Sequence, residues 1–196
     1  MATSSSFLDD WLRAVVATPG LTSLRAEAEA RAMLLDDALR AVDVVGSFEG
    51  AIVDVGSGGG SPGIPLAVAL PERAVTLVEA ERRKCRFLEE WAPANARVVW
   101  GRAEEQEVDA FGVGVAKALA QPAVAVEWVL PLVRVGGAAV LWLGETADLD
   151  AVARVAAQLG GGAPELRDGL TVIAKLEPTP AGFPRRVGVA KKRPLA

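Results

Sequence analysis

Apolar and polar residues follow two different patterns along this chain. Up to about residue 45 the apolar positions fall three or four residues apart, which predicts amphipathic helices. The first helix would begin near Ser6 and end before Pro19-Gly20, and the second would run from Arg25 to about Val45. We therefore expect residues 1–45 to form an N-terminal helical cap.

After Gly46 the apolar residues come in short runs separated by helical segments. This alternation is typical of a parallel sheet that helices cover on both faces. The runs begin roughly twenty residues apart, which leaves room for right-handed βαβ crossovers. The predicted strands are 51–55, 74–80, 96–101, 111–117 and 137–143.

Two further apolar-polar segments, 164–169 and 170–177, meet at Asp168-Gly169, a strong hairpin signal. Parallel strands followed by a hairpin are typical of S-adenosylmethionine methyltransferases, whereas dinucleotide-binding dehydrogenases usually continue with parallel units. We expect an α/β, Rossmann-like class I methyltransferase fold, with a mostly parallel sheet closed by a C-terminal antiparallel hairpin. Residues 46–180 would bind the cofactor and 181–196 would form a basic tail, all within one structural domain.

A glycine-rich turn follows the first predicted strand, which contains Asp54. The chain continues as Gly56-Ser57-Gly58-Gly59-Gly60, and a helix then begins at 61–66. Glycine permits positive φ and lets a ligand touch the backbone, while a helix N-terminus offers free amide donors. Such a turn also fits a nicotinamide site or an ordinary tight turn.

Acidic residues at the next two strand ends favour a nucleoside ligand. Glu79 ends the second strand, where a carboxylate can accept hydrogen bonds from both ribose hydroxyls. Ala103 and Glu104 follow the third strand and would face an adenine, although Glu104 also fits a solvated helix start. Because open α/β sheets bind ligands at this carboxyl edge, we expect a nucleoside-containing cofactor.

Composition limits the chemistry that this chain can perform. It has 196 residues, 51% of them hydrophobic and 23% charged, as in one ordinary globular domain. With no histidine and a single cysteine, it lacks the residues for Ser/His/Asp or Cys/His catalysis and the commonest metal ligands. We expect no metal, no secretory signal and no membrane segment, and hence a cytoplasmic protein. We also expect it to be a monomer.

The net charge of −4 is unevenly distributed, since no acidic residue follows Glu177. Basic clusters of this kind attract RNA phosphates, although a solvated tail and a charged helix face are equally ordinary explanations. The predicted RNA-binding residues are Arg82, Arg83, Lys84, Arg185, Arg186, Lys191, Lys192 and Arg193. We interpret the five tryptophans as core or rim residues and assign none of them to the site.

Five segments spread over nearly the whole chain carry a family resemblance. They are DVGSGGGSPGIPLA (54–67), RFLEE (86–90), GRAEE (101–105), VEWVLPLVRVGG (126–137) and FPRRVGVAKKRPL (183–195). Together they resemble one bacterial family, RsmG (also called GidB), which methylates N7 of a guanine in 16S ribosomal RNA. The resemblance implies S-adenosyl-L-methionine as cofactor and ribosomal RNA or the small-subunit particle as partner. The cofactor-binding residues then predicted are Asp54, Gly56, Gly58, Ser61, Glu79, Ala103, Glu104 and Lys117.

The chemistry that the resemblance implies needs no general base. Guanine N7 carries an in-plane lone pair and no proton, so catalysis consists mainly of alignment and of tolerance for a cationic product. Lys117 would stand at the carboxyl end of the fourth strand, where it would orient a phosphate or a base edge. A surface lysine is the alternative.

The chain departs from the family pattern at several polar positions. The family usually has a bulky apolar residue at Ser61, Asp at Glu79, Arg at Lys117 and Lys near Leu143. Two alternatives therefore stay open at this point. One is a small-molecule methyltransferase with the N-terminal helices as a lid, and the other is a catalytically inactive RNA-binding member of the family.

Overall fold

The computed structural model describes residues 4–144 and 146–196, with side chains from Ser6 onward. The N-terminal part is helical, as predicted, but its second helix is not continuous. Arg31–Asp36 form a π-helical segment, and a turn at Arg40-Ala41 separates two further short helices. The elements are α1 (Ser4–Ala17), α2 (Glu27–Ala30), the π-helical segment (Arg31–Asp36), α3 (Asp37–Leu39) and α4 (Val42–Gly46).

Contacts with distant residues accompany this irregularity. Lys117 Nζ donates to the carbonyl of Met33, and Ser61 Oγ donates to that of Leu34 at 2.7 Å. Side-chain donors therefore satisfy two carbonyls inside the π-helical segment, which offsets poorer hydrogen bonding within the helix. The prediction of one regular helix from Arg25 to Val45 was wrong for this reason, since helical periodicity carries no information about such donors.

A seven-stranded sheet forms the centre of the molecule, in the order β3-β2-β1-β4-β5-β7-β6. Strands β1 to β5 are parallel, while β7 is antiparallel to both β5 and β6. The predicted fold class is thereby confirmed. The strands are β1 (Ile52–Val55), β2 (Val75–Glu79), β3 (Ala96–Trp100), β4 (Phe111–Lys117), β5 (Val133–Trp142), β6 (Glu165–Arg167) and β7 (Leu170–Ala174).

Strand β5 begins earlier than the sequence predicted. Val133 pairs with Phe111, but the next partner of β4 is Ala138, so the register shifts between the two pairs. The extra residues include Gly136, whose φ of +82° lies in the left-handed region that favours glycine. A bulge thus interrupts β5, and the apolar pattern predicted only the part of the strand that follows the bulge.

Helices cover both faces of the sheet and bury two separate apolar clusters. The cap packs on one cluster together with Ile64 and Leu88, and Val126 and Val152 belong to the other. Within the described residues, no helix has the length and apolar character needed to cross a bilayer. The covering helices are α5 (Gly63–Ala69), α6 (Arg82–Trp91), α7 (Pro122–Val129), α8 (Leu149–Gln158) and α9 (Val189–Lys192).

Candidate functional site

A cavity of about 490 Å³ opens where the carboxyl ends of β1 to β4 meet the N-terminal cap. It receives residues from the glycine turn, from the ends of β2 and β4, and from the loop after β3. On the sheet side its lining includes Gly56, Gly58, Ser61, Glu79, Ala80, Ala103, Glu104 and Lys117. On the cap side it includes Trp11, Val15, Leu21, Thr22, Ser23 and Leu34. Every predicted cofactor-binding residue except Asp54 therefore lines one cavity.

The glycine turn adopts a backbone that other residues would strain. Gly56 and Gly58 have φ values of +73° and +56°, both in the left-handed region. A Cβ on Gly56 would overlap the side chain of Leu119. Trp11 steadies the turn from the cap, because its indole N–H donates to the carbonyl of Gly59 at 3.0 Å. Contacts within the protein therefore hold the turn in this conformation.

Glu79 holds the turn against the end of β2. Its Oε2 accepts the backbone N–H of Gly58 at 2.9 Å, and its Oε1 accepts that of Glu81 at 2.8 Å. The side chain is buried, with 6% of its surface exposed. Each carboxylate oxygen can accept a second hydrogen bond, so the group can still receive ligand hydroxyls.

Asp54 lies at the end of β1, behind the turn. Its Oδ2 accepts the backbone N–H of Gly63 at 3.1 Å, which ties the strand to the start of α5, whereas its Oδ1 is buried without a partner. Burial raises the pKa of this carboxyl to about 7, against the opposing effect of the Gly63 hydrogen bond. Asp54 therefore supports the turn from within the sheet and titrates near neutral pH.

The loop after β3 forms the opposite wall. Ala103 is buried, and Glu104 Oε1 accepts the backbone N–H of Gly188 at 3.1 Å. Trp128 from α7 also lines the cavity, and its indole N–H is buried without an acceptor. The sequence did not single out Trp128 or the lining residues of the cap, because apolar positions at helical spacing look alike whether they line a cavity or a core.

Lys117 connects the cavity to the cap. Its ammonium group forms an ion pair with Asp37 and a hydrogen bond with the carbonyl of Met33. The lysine is largely enclosed, with 14% of its side chain exposed. It is therefore not the free surface lysine that the sequence left as an alternative.

The predicted RNA-binding residues separate into distinct environments. Arg82 and Arg83 are exposed at the start of α6, while Lys84 lines the cavity and pairs with Glu81 at 2.8 Å. The exposed members of the C-terminal group are Arg186, Lys191, Lys192 and Arg193. All of these except Lys84 are open to a macromolecular partner.

Arg185 differs from the rest of its group. Its Nε and Nη2 both donate to the carboxylate of Glu127, each at 2.5 Å, and Glu127 is 2% exposed. This carboxylate raises the pKa of the arginine. Arg185 is thus half-buried, and its guanidinium is already paired within the protein, unlike the exposed members of its group. Among the described residues we find no group of three or more acidic, cysteine or histidine side chains that could hold a metal ion.

The strand order and the glycine turn beside Glu79 define a Rossmann-like class I methyltransferase fold. A TehB-like S-adenosylmethionine-dependent methyltransferase from Corynebacterium glutamicum superposes with a TM-score of 0.59 at 20% identity, covering 88% of this chain and 97% of its own. The T. thermophilus 16S rRNA N2 G1207 methyltransferase, solved with AdoMet and guanosine, gives 0.57 at 20% identity over 74% of this chain and 40% of its own.

Sequence comparison identifies the family within that class. The model of the GidB family, rRNA small subunit methyltransferase G, matches residues 8–159. The ribosomal RNA small subunit methyltransferase G of Roseiflexus castenholzii is 37% identical, over 94% of this chain and 87% of its own. That of Pelotomaculum thermopropionicum is 36% identical, over 89% and 82%. The chain belongs to the rRNA small subunit methyltransferase G family, which confirms the predicted resemblance.

Proposed function

We propose that this protein is an S-adenosyl-L-methionine-dependent methyltransferase that modifies N7 of a guanine in 16S ribosomal RNA. The observation that supports this proposal most directly is the cavity, which lies in a chain that belongs to this family. It joins the glycine turn and Glu79 to the loop after β3 beneath a helical cap. We further propose that the protein acts in the cytoplasm as a monomer, since both the sheet and the cap of the same chain line the cavity.

The cavity suits a nucleoside cofactor in size and in polar groups. Its volume lies within the range of small-molecule sites. Glu79 can accept the ribose hydroxyls, and Ala103 with Glu104 provides a wall for the adenine. One buried polar group of the cavity lining, the Trp128 indole N–H, lacks a partner in this structure. Such a group is costly unless a ligand or water satisfies it, which favours a polar ligand here.

The contribution of the protein to the reaction is alignment. S-adenosyl-L-methionine supplies a methyl group that is already electrophilic, and guanine N7 has no proton to remove. The chain therefore needs no general base, in keeping with its lack of histidine. Rigid strand ends carry Glu79 and Lys117, which limits the freedom of groups that touch the reactants. The carboxylates of Glu79 and Glu104 line the cavity and favour a cationic product.

Lys117 contributes to this alignment mainly by holding the cap in place. Because Asp37 neutralises its charge, it adds little positive field, but it holds the cap over the carboxyl end of β4. The exposed basic residues of α6 and of the C-terminal segment then provide phosphate contacts for the RNA. Gly188 fastens that segment to Glu104, so these contacts lie near the cavity.

The test is methyl transfer to RNA by the purified protein. Incubation with S-adenosyl-L-methionine and small-subunit particles should yield N7-methylguanine, detected by mass spectrometry of the digested rRNA. Cofactor binding without transfer to any RNA would contradict the proposal. RNA-independent turnover of a metabolite would indicate a small-molecule methyltransferase, and RNA binding without cofactor binding would indicate an inactive member.

A further inference from the structure

Trp100 is exposed in a way that the packing of the fold does not explain. It is the last residue of β3, an outer strand of the sheet, and 60% of its surface is accessible. All five tryptophans lie in the described part of the chain, and the other four are buried or half-buried. An exposed indole presents its π-face to solvent, where a partner can stack on it.

The indole is held in a defined orientation beside the cavity. Trp100 occupies the position on β3 that pairs with Glu79 on β2. Its indole N–H donates to the carbonyl of Ala80 at 3.1 Å, and the guanidinium carbon of Arg82 lies 4.8 Å from the ring centroid. The ring is therefore anchored through its N–H, and Arg82 lies over one of its faces, which leaves the other face for a base.

The ring borders a recess of about 350 Å³ next to the main cavity. The two share Ala80, Gly101 and Arg102, so the recess adjoins the cavity wall that Ala103 and Glu104 form. Its lining is completed by Trp100 and Glu105.

The charges around the recess suit a polyanion. Arg102 lines the recess and Arg82 lies over the Trp100 ring, and both arginines are exposed. The acidic group of the recess, Glu105, already accepts the backbone N–H of Arg102 at 2.9 Å. An exposed aromatic ring flanked by guanidinium groups is the combination that binds single-stranded nucleic acid, by stacking on bases and by pairing with phosphates.

We propose that Trp100 is a stacking platform for an unpaired RNA base that flanks the base entering the cavity. This inference rests on the proposed function, because it takes RNA as the substrate. A nucleobase fits the site better than a protein side chain, since every base has a π-face and is joined to a phosphate that Arg82 or Arg102 can pair with. The platform fixes the RNA strand beside the cofactor site.

The test compares variants of Trp100 in RNA binding. The probe is a mixed-sequence single-stranded RNA oligonucleotide, measured by fluorescence anisotropy, with the annealed duplex as comparison. Trp100→Leu keeps an apolar side chain without a π-face, and we expect it to bind the single strand about tenfold more weakly. Trp100→Phe keeps a π-face, and its affinity should stay within about threefold of the unchanged protein.

Three measurements keep the result interpretable. Leu166→Ala alters a residue that is 68% exposed on β6, the opposite edge of the sheet, and should leave RNA affinity unchanged. S-adenosyl-L-methionine affinity, measured by calorimetry, should be the same in all variants. In the unchanged protein, ultraviolet cross-linking of the RNA should attach to a peptide that contains Trp100, which requires no variant to fold.

The platform is overturned if Trp100→Leu binds the single strand as tightly as the unchanged protein, or if Phe and Leu weaken binding equally. A lack of preference for the single strand over the duplex, or cross-links confined to other peptides, would also overturn it. Failure of the proposed function has a different signature, namely absence of methyl transfer to ribosomal RNA. These binding measurements need no transfer and so decide the platform separately.

Discussion

Lys117 and Asp37 form an ion pair that joins the carboxyl end of β4 to the cap above the cavity. Asp37 also pairs with Arg40 at 2.6 Å, and Arg40 Nη1 donates to the carbonyl of Asp168 at 2.7 Å. The network thus extends from β4 through the cap to the hairpin at the edge of the sheet. A partly enclosed pair of this kind couples the position of the cap to the shape of the cavity.

Removal of either partner should loosen the cap. We expect Lys117→Met and Asp37→Asn each to lower the free energy of unfolding by about 1–2 kcal/mol, and the double variant to lose less than the sum. Urea denaturation of the four proteins measures this coupling. Lys117→Arg keeps the charge and should retain most of the stability. Strictly additive effects would show that the ion pair does not couple the two elements.

The buried carboxyl of Asp54 should make stability depend on pH. Its pKa is about 7 in the folded protein and near 3.8 when unfolded, so between these values the folded state keeps a proton that the unfolded state releases. The contribution of Asp54 to stability is therefore greatest below about pH 4, falls as the pH rises, and is fully lost above about pH 7.

Asp54→Asn should remove this dependence, because the amide oxygen can still accept the Gly63 N–H and no proton is released. The stability of the variant relative to the unchanged protein should rise between about pH 4 and about pH 7 and then stay constant. Urea unfolding over that range measures it, and Asp168→Asn in the exposed hairpin turn serves as control. If Asp54→Asn and the unchanged protein show the same dependence of stability on pH, the raised pKa of Asp54 is refuted.

Glu79→Gln should weaken cofactor binding without unfolding the protein. The carboxylate accepts two backbone N–H groups, and the amide oxygen of glutamine can replace only one carboxylate oxygen. A hydrogen bond from a ribose hydroxyl to a charged acceptor contributes about 1.5–3 kcal/mol, so loss of one such bond should weaken S-adenosyl-L-methionine binding by roughly ten- to a hundredfold in calorimetry. Glu90→Gln changes an exposed carboxylate of α6 outside the cavity lining and should bind normally. Unchanged affinity in Glu79→Gln would exclude a role in the site.

The sequence predicted those parts of the fold that depend on the pattern of residues close together in the chain. Short apolar runs marked the five parallel strands, and Asp168-Gly169 marked the hairpin. The glycine turn, Glu79 and Glu104 could be placed on one edge because parallel strands direct their carboxyl ends the same way. Functional residues at strand ends can therefore be predicted from the sequence alone.

The relationships that the sequence did not predict join residues far apart in the chain. Lys117 pairs with Asp37, Glu127 with Arg185, and Glu104 with Gly188. Spacing along the chain carries no signal for such contacts. The exposure of Trp100 was missed for a related reason. The sequence shows an apolar residue at the end of an outer strand, but it does not show whether another element covers that residue.

Arg185 and Glu127 hold the C-terminal segment against α7 in a largely desolvated pair. Arg185 also donates to the carbonyl of Arg193 at 2.9 Å, and the same segment supplies the Gly188 N–H to Glu104. The pair therefore positions exposed basic residues on one side and a residue of the cavity wall on the other. Loss of the arginine would leave the Glu127 carboxylate buried without its partner.

Arg185→Met should consequently lower the free energy of unfolding by about 3–5 kcal/mol, because an uncompensated buried charge is costly. Adding Glu127→Gln should recover part of that loss, since it removes the charge itself. Arg185→Lys should lose less stability than Arg185→Met but still some, because its ammonium group compensates the Glu127 charge and cannot make the two parallel hydrogen bonds of a guanidinium. Urea denaturation measures all three, with Lys192→Met as the exposed control. If Arg185→Met behaves like Lys192→Met, the segment is held by its apolar contacts and not by the ion pair.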